Sequence, residues 1–187
     1  TDLVQRAIHT VEKNLLEGAL IVIFVLVLFL GNLRAGLIVA TAIPLSLLFA
    51  LGMMNLFGVS ANLMSLGAID FGIIVDGSVI VVEAVMHHLA IRKNQQPLTQ
   101  AQMDDEVYHS ASKIRSSAAF GEIIILMVYI PILTLVGVEG KMFRPMAQTV
   151  VFAILGALIL SLTYIPAMSA LLLPKKVSDK RSFAERM

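Results

Sequence analysis

Three carboxylates, Asp70, Asp76 and Glu83, stand in the run SLGAIDFGIIVDGSVIVVEAV, whose other residues are apolar or small. An acid at the centre of a membrane helix costs about 2.5–3.5 kcal/mol on insertion scales, so acids at that depth mark proton or ion pathways. On a helix, Asp76 and Glu83 are separated by close to two turns and share one face, about 10 Å apart along the axis. Asp70 comes six residues before Asp76, which on an unbroken helix sets it about 9 Å further along and about 120° round. Such a helix needs interior surroundings on two faces. Gly67, Ala68, Gly72, Gly77 and Ser78 thin it enough for neighbours to pack closely, and they leave room for water or ions beside the acids.

All 14 Lys and Arg fall outside the apolar runs. The three acids are expected to be buried, with no basic partner in this chain. They must then be protonated, bind a cation, or pair with a base supplied from elsewhere. Glu122 sits near the start of a later apolar run, where a helix N-terminus favours negative charge. His87 and His88 read as interfacial anchors, and Asp104, Asp105 and Glu106 as a solvated face. The ten methionines read as apolar filling, with Met53, Met54, Met142 and Met146 placed where a soft metal could touch them. No metal-ligand set can be named, and no cofactor is called for.

The elements that position these residues follow from apolar length. A bilayer core of about 30 Å takes about 20 helical residues, and five runs qualify: about 16–33, 36–56, 62–85, 118–137 and 147–173. The expected fold is an all-α membrane protein, one partial transmembrane domain over 1–187. Gly31-Asn32 ends the first span, and Gly52, Asn55, Gly58, Ser60 and Asn62 mark the turn after the second. Pro44, Pro131 and Pro166 lie inside spans, where packed neighbours can satisfy the freed carbonyls. Residues 87–117 form the one long loop. There Thr99 and Gln102 make a capping box that opens an interfacial helix. With five crossings, ten basic residues gather on one side (Arg34, Arg92, Lys93, Lys113, Arg115 and those from Lys175 onward) and four on the other. That imbalance puts the loop and the C-terminus in the cytoplasm. Thr1 opens a polar stretch rather than a leader, and the chain is expected to continue a longer polypeptide.

Composition narrows the classes further. Charged residues are 14% of the chain against about 25% in soluble domains, hydrophobic residues are 58%, and mean hydropathy is +0.87. There is no cysteine, which excludes disulfides and thiolate metal sites. With a net charge of +1, nothing points to nucleic acid.

The run NLMSLGAIDFGIIVDGSVIVVE closely resembles the fourth transmembrane helix of resistance-nodulation-division efflux pumps, in the heavy-metal branch of cobalt-zinc-cadmium type. NLLEGALIVIFVLVLFLGNLRAGLI, AIPLSLLFA, VYIPILTLVGVEGKMFRPMAQTV and SLTYIPAMSALLLPKK extend the likeness over nearly the whole chain. The resemblance implies helices two to six of a twelve-helix domain in a bacterial inner-membrane homotrimer. Such a pump works with a periplasmic adaptor and an outer-membrane channel and exports divalent metal cations against protons. Asp76 matches the aspartate found across the superfamily and Glu83 the glutamate seven residues on. Asp70 matches an additional acid of the divalent type. Gly77 stands where multidrug relatives carry a second aspartate, and Ala84 where an Asn often follows the glutamate. A lysine from the second six-helix half is implied as the missing base.

Other readings fare worse. An intramembrane aspartyl protease needs two carboxyls at contact distance, which acids 120° apart on one helix do not reach. A passive channel gives no reason to bury acids. A proton-driven exporter of another cargo, such as a drug, a lipid or monovalent copper or silver, fits the Asp-Phe-Gly and Asp-Gly pattern less well.

Overall fold

Long runs of Leu, Ile, Val and Ala satisfy their backbone polar groups internally by forming helices, which is what a lipid environment demands. A computed structural model describes residues 2–60, 67, 69–91 and 98–173. It contains seven helices among those residues: α1 (Asp2–Leu30), α2 (Leu33–Ala40), α3 (Ala42–Leu56), α4 (Phe71–Ile91), α5 (Gln100–Leu133), α6 (Gly137–Leu162) and α7 (Tyr164–Leu172). Five stretches are long and apolar enough to cross a bilayer: Ile8–Leu30, Leu33–Leu56, Phe71–Ile91, Gln100–Leu133 and Gly137–Leu162. The part of the expected third span at residues 62–66 and 68 lies outside the described residues.

The punctuation is local and physical. Gly31 takes a left-handed φ of 60°, which ends α1 at little steric cost. Asn32 then caps α2, its side-chain oxygen accepting from Arg34 N at 3.0 Å. The second span bends at Thr41 and the sixth helix ends at Thr163, each three residues before a proline (Pro44 and Pro166). A proline ring clashes with the carbonyl four residues back and offers no N–H. Both threonines turn their hydroxyls onto carbonyls of the preceding turn, Thr41 to Ile38 O (2.6 Å) and Thr163 to Ile159 O (2.6 Å). Each proline therefore falls in the first turn of a new helix, where it is tolerated. Pro131 lies in the last turn of α5.

The capping box forms at Thr99 and Gln102. The helix it opens does not stay on the surface: α5 runs unbroken for 34 residues from the polar segment into the apolar span. The polar stretch 100–117 lacks both glycine and proline, so nothing in it stops propagation. Asp104 and Asp105 are exposed, whereas Glu106 meets His88 at 3.7 Å and ties the end of α4 to α5. At the other face of the α5 start, Gln100 Nε2 donates to Ala170 O of α7 at 3.1 Å.

The core lies among α2, α3, α4, α6 and α7, and α3 packs most extensively on α6. Gly156 of α6 lies so close to Phe49 that an added Cβ would sit 2.7 Å from the ring. Phe57 stacks on Phe152 at 5.6 Å, and Thr149 donates to Met54 Sδ at 3.4 Å. α1 and α5 bury little and show Leu20, Phe24, Leu28, Ile124 and Val128 outward. A surface of that kind suits lipid, not water.

Replacing Gly156 with Ala is expected to overpack the α3–α6 contact and to cost about 1–3 kcal/mol. Gly52, with open space around its Cβ position, is the control: Gly52→Ala gains helix propensity of about 1 kcal/mol. Melting temperatures of the full-length protein in detergent should fall for the first and hold or rise for the second. Equal melting temperatures would refute the close packing.

Candidate functional site

Asp70 is not on the helix as expected. Ile69 and Asp70 are non-helical, and α4 starts at Phe71 among the described residues. The Asp70 Oδ1 atom accepts from Gly72 N at 2.8 Å. A short acidic side chain that captures a nearby backbone N–H competes with the helix and favours its start. The offset from Asp76 expected for an unbroken helix therefore does not apply. Asp70 borders a small apolar recess with Ile73 and Ile74 of its own element and Val150, Ala153 and Ile154 of α6.

Beyond Phe71 the helix is continuous, so Asp76, Ile80 and Glu83 occupy one face. The opposite face carries Ile74, Val75, Ser78, Val81, Val82 and Val85 into the core. Here the expectation of buried acids is corrected: Asp70, Asp76 and Glu83 are all exposed on this chain. Among the described residues, the other four spans pack only one side of α4. Among the described residues the acid side has no cover, and Ile80 beside the acids is 41% exposed.

The small residues divide by role. An added Cβ at Gly67 meets nothing, and at Gly72 it meets only the Asp70 carboxyl. Ala68 lies outside the described residues. Gly77 is the close approach: the space of its absent Cβ is occupied by Glu122 Oε1 of α5, and Ser161 Oγ of α6 comes within 3.3 Å of it.

Glu122 is the residue that sequence reasoning undervalued. Placed at a helix start, it had a ready structural explanation; in the structure it lies 22 residues into α5, far from the terminal dipole. It is 3% exposed, and neither carboxyl oxygen has a hydrogen-bond partner among the described residues. The available signal was an acid inside an apolar run. Among the described residues, no three His, Asp or Glu side chains converge as a metal site. The Met54 sulfur accepts from Thr149 inside the bundle, and Met142 is exposed.

The whole chain, residues 1–187, matches the model of the AcrB/AcrD/AcrF family. It is similar to the cobalt-zinc-cadmium resistance protein CzcA of Cupriavidus metallidurans, with 54% identity over 97% of this chain and 17% of that protein. The nickel-cobalt-cadmium resistance protein NccA of Alcaligenes xylosoxydans xylosoxydans is 48% identical over 96% of the chain and 17% of its own length. The chain thus spans about a sixth of the length of these curated relatives. Among solved structures, a heavy metal efflux pump in its second crystal form superposes with a TM-score of 0.77 at 43% identity, covering 91% of this chain and 16% of that one. With a family match over the whole chain, close identity to these relatives and a matching backbone, the chain belongs to the AcrB/AcrD/AcrF family of resistance-nodulation-division proteins, on its heavy-metal efflux branch.

Proposed function

We propose that this segment is the proton-coupling part of a secondary active transporter that exports divalent heavy-metal cations in exchange for protons. The observation that carries the reading is the uncovered acid face of α4, with Asp76 and Glu83 on one side of a membrane-spanning helix. Lipid against that face would cost about 2.5–3.5 kcal/mol for each ionised acid. A second six-helix half carrying a lysine supplies both the cover and the missing base. In the intact pump, protons entering from outside load Asp76 and Glu83, neutralise them and release the lysine. The helices then shift and drive the domains that carry the metal. The potential contributes about 2.3 kcal/mol per charge for each 100 mV.

The same reading places the pump in the bacterial inner membrane as a multi-pass homotrimer, with a periplasmic adaptor and an outer-membrane channel. Divalent cargo is favoured over a drug, a lipid or monovalent copper or silver by relatives named for cobalt, zinc, cadmium and nickel resistance.

Asp76→Asn in the full-length pump is expected to abolish zinc and cobalt resistance while the protein still assembles in the membrane. Wild-type resistance in that variant would remove Asp76 from the mechanism. Reconstituted vesicles test the exchange directly, through proton uptake linked to zinc movement.

Asp70 has a capping role as well as a charge, and one substitution separates them. Asn caps a helix about as well as Asp, so Asp70→Asn keeps the turn and loses the charge. Metal resistance is expected to fall in this variant with no change in melting temperature. Full resistance would confine Asp70 to capping.

A further inference from the structure

Glu122 lies buried in the apolar part of α5 and plays no part in the coupling scheme above. Burial of an ionised carboxylate with neither a counter-charge nor a hydrogen bond is strongly unfavourable, and the group takes up a proton instead. Its surroundings favour that form. From α6, Ser161 brings its hydroxyl to the same space over Gly77, but that hydroxyl already donates to Leu158 O at 2.9 Å. A hydroxyl keeps two lone pairs free when it donates, so a protonated Glu122 can donate to Ser161 while Ser161 stays on Leu158 O. From α4 come Asp76, the residue next to Gly77, and Ser78, whose buried hydroxyl has no partner among the described residues. The α6 helix from Pro145 onward contains no titratable residue, and Tyr164 is the only one in α7. No cation approaches Glu122 from these elements.

Because Gly77 has no side chain, the Glu122 carboxyl reaches the α4 backbone beside Asp76. Asp76 is exposed on the acid face, and the interior Glu122 oxygen fills the gap left by the absent Cβ of its neighbour. We propose that Glu122 is a second proton-carrying carboxyl of the coupling path, held as the neutral acid behind Asp76 and exchanging its proton with Asp76 through the gap at Gly77. In the exchange, the O–H bond of Glu122 breaks as one forms on the Asp76 carboxylate. The negative charge moves the other way, and no other reactant is consumed. The inference rests on the reading of Asp76 as a proton acceptor.

The test uses the full-length pump in proteoliposomes, with zinc as cargo and an imposed pH gradient. Wild type is compared with Asp76→Asn, Glu122→Gln, Glu122→Asp and Gly77→Ala. Infrared titration runs in parallel and reads the carbonyl band of un-ionised carboxyls. Glu122→Gln should lower zinc-linked proton flux by roughly a hundredfold, the low end of what a proton-transfer group contributes. It should also remove one un-ionised carboxyl band at neutral pH. Glu122→Asp should recover part of the flux with a shifted pH profile. Gly77→Ala, whose new methyl displaces the carboxyl, should lose flux while keeping a band. Wild-type flux and pH profile in Glu122→Gln overturn the proposal. So does lost flux with every un-ionised band still present, since Glu122 then acts only through packing. Normal flux in Asp76→Asn overturns the reading of Asp76 and this exchange with it, whereas failure confined to the Glu122 variants leaves that reading standing. If Glu122→Gln does not fold, Glu122→Asp and Gly77→Ala decide by the same two readouts.

Discussion

The cost of holding an ionised group away from water organises this molecule. Nearly every other residue of the spans is apolar or small, and the basic residues stay at the ends. Against that background the acids of α4 and the carboxyl of α5 are the expensive groups, and each is met differently. Asp70 spends its charge on a backbone N–H at a helix start. Asp76 and Glu83 face a side left uncovered among the described residues. Glu122 is enclosed with no partner among the described residues. A carboxyl can lower its cost by capping, by finding a base or by taking a proton.

Packing keeps that helix in place. One face of α4 is filled by β-branched residues and Ser78, and α6 passes behind it. Gly156 lets α3 and α6 come close enough for Phe49 to lie over the helix backbone. The paired Thr and Pro positions break the helices at Thr41 and Thr163 without orphaning the preceding turn, because the threonine hydroxyls take up carbonyls there. Among the described residues, α4 is packed on one side and uncovered on the other.

Much of this was legible in the sequence because apolar length and charge exclusion act locally. The five spans, the stop at Gly31-Asn32 and the capping box at Thr99 follow from residue types a few positions apart. What escaped depends on competition or on neighbours. Asp70 could extend the helix or cap it, and the contest was settled by the reach of its side chain to Gly72 N. The exposure of Asp76 and Glu83 depends on which side the other spans choose, and periodicity does not encode that choice. Glu122 was misplaced for a definite reason. The polar stretch 100–117 reads as a separate surface element, which puts a helix start near 118, whereas the helix starts at Gln100.

That unbroken α5 has a mechanical consequence. At 1.5 Å per residue its 34 residues reach about 51 Å, well beyond an apolar layer of about 30 Å. The excess is a stiff lever outside the layer, joined near its tip to α4 through His88 and Glu106 and to α7 through Gln100. A rod without a joint cannot absorb a tilt along its length. A tilt of such a rod beside Glu122 would displace its far end, where the His88–Glu106 contact meets the last turn of α4.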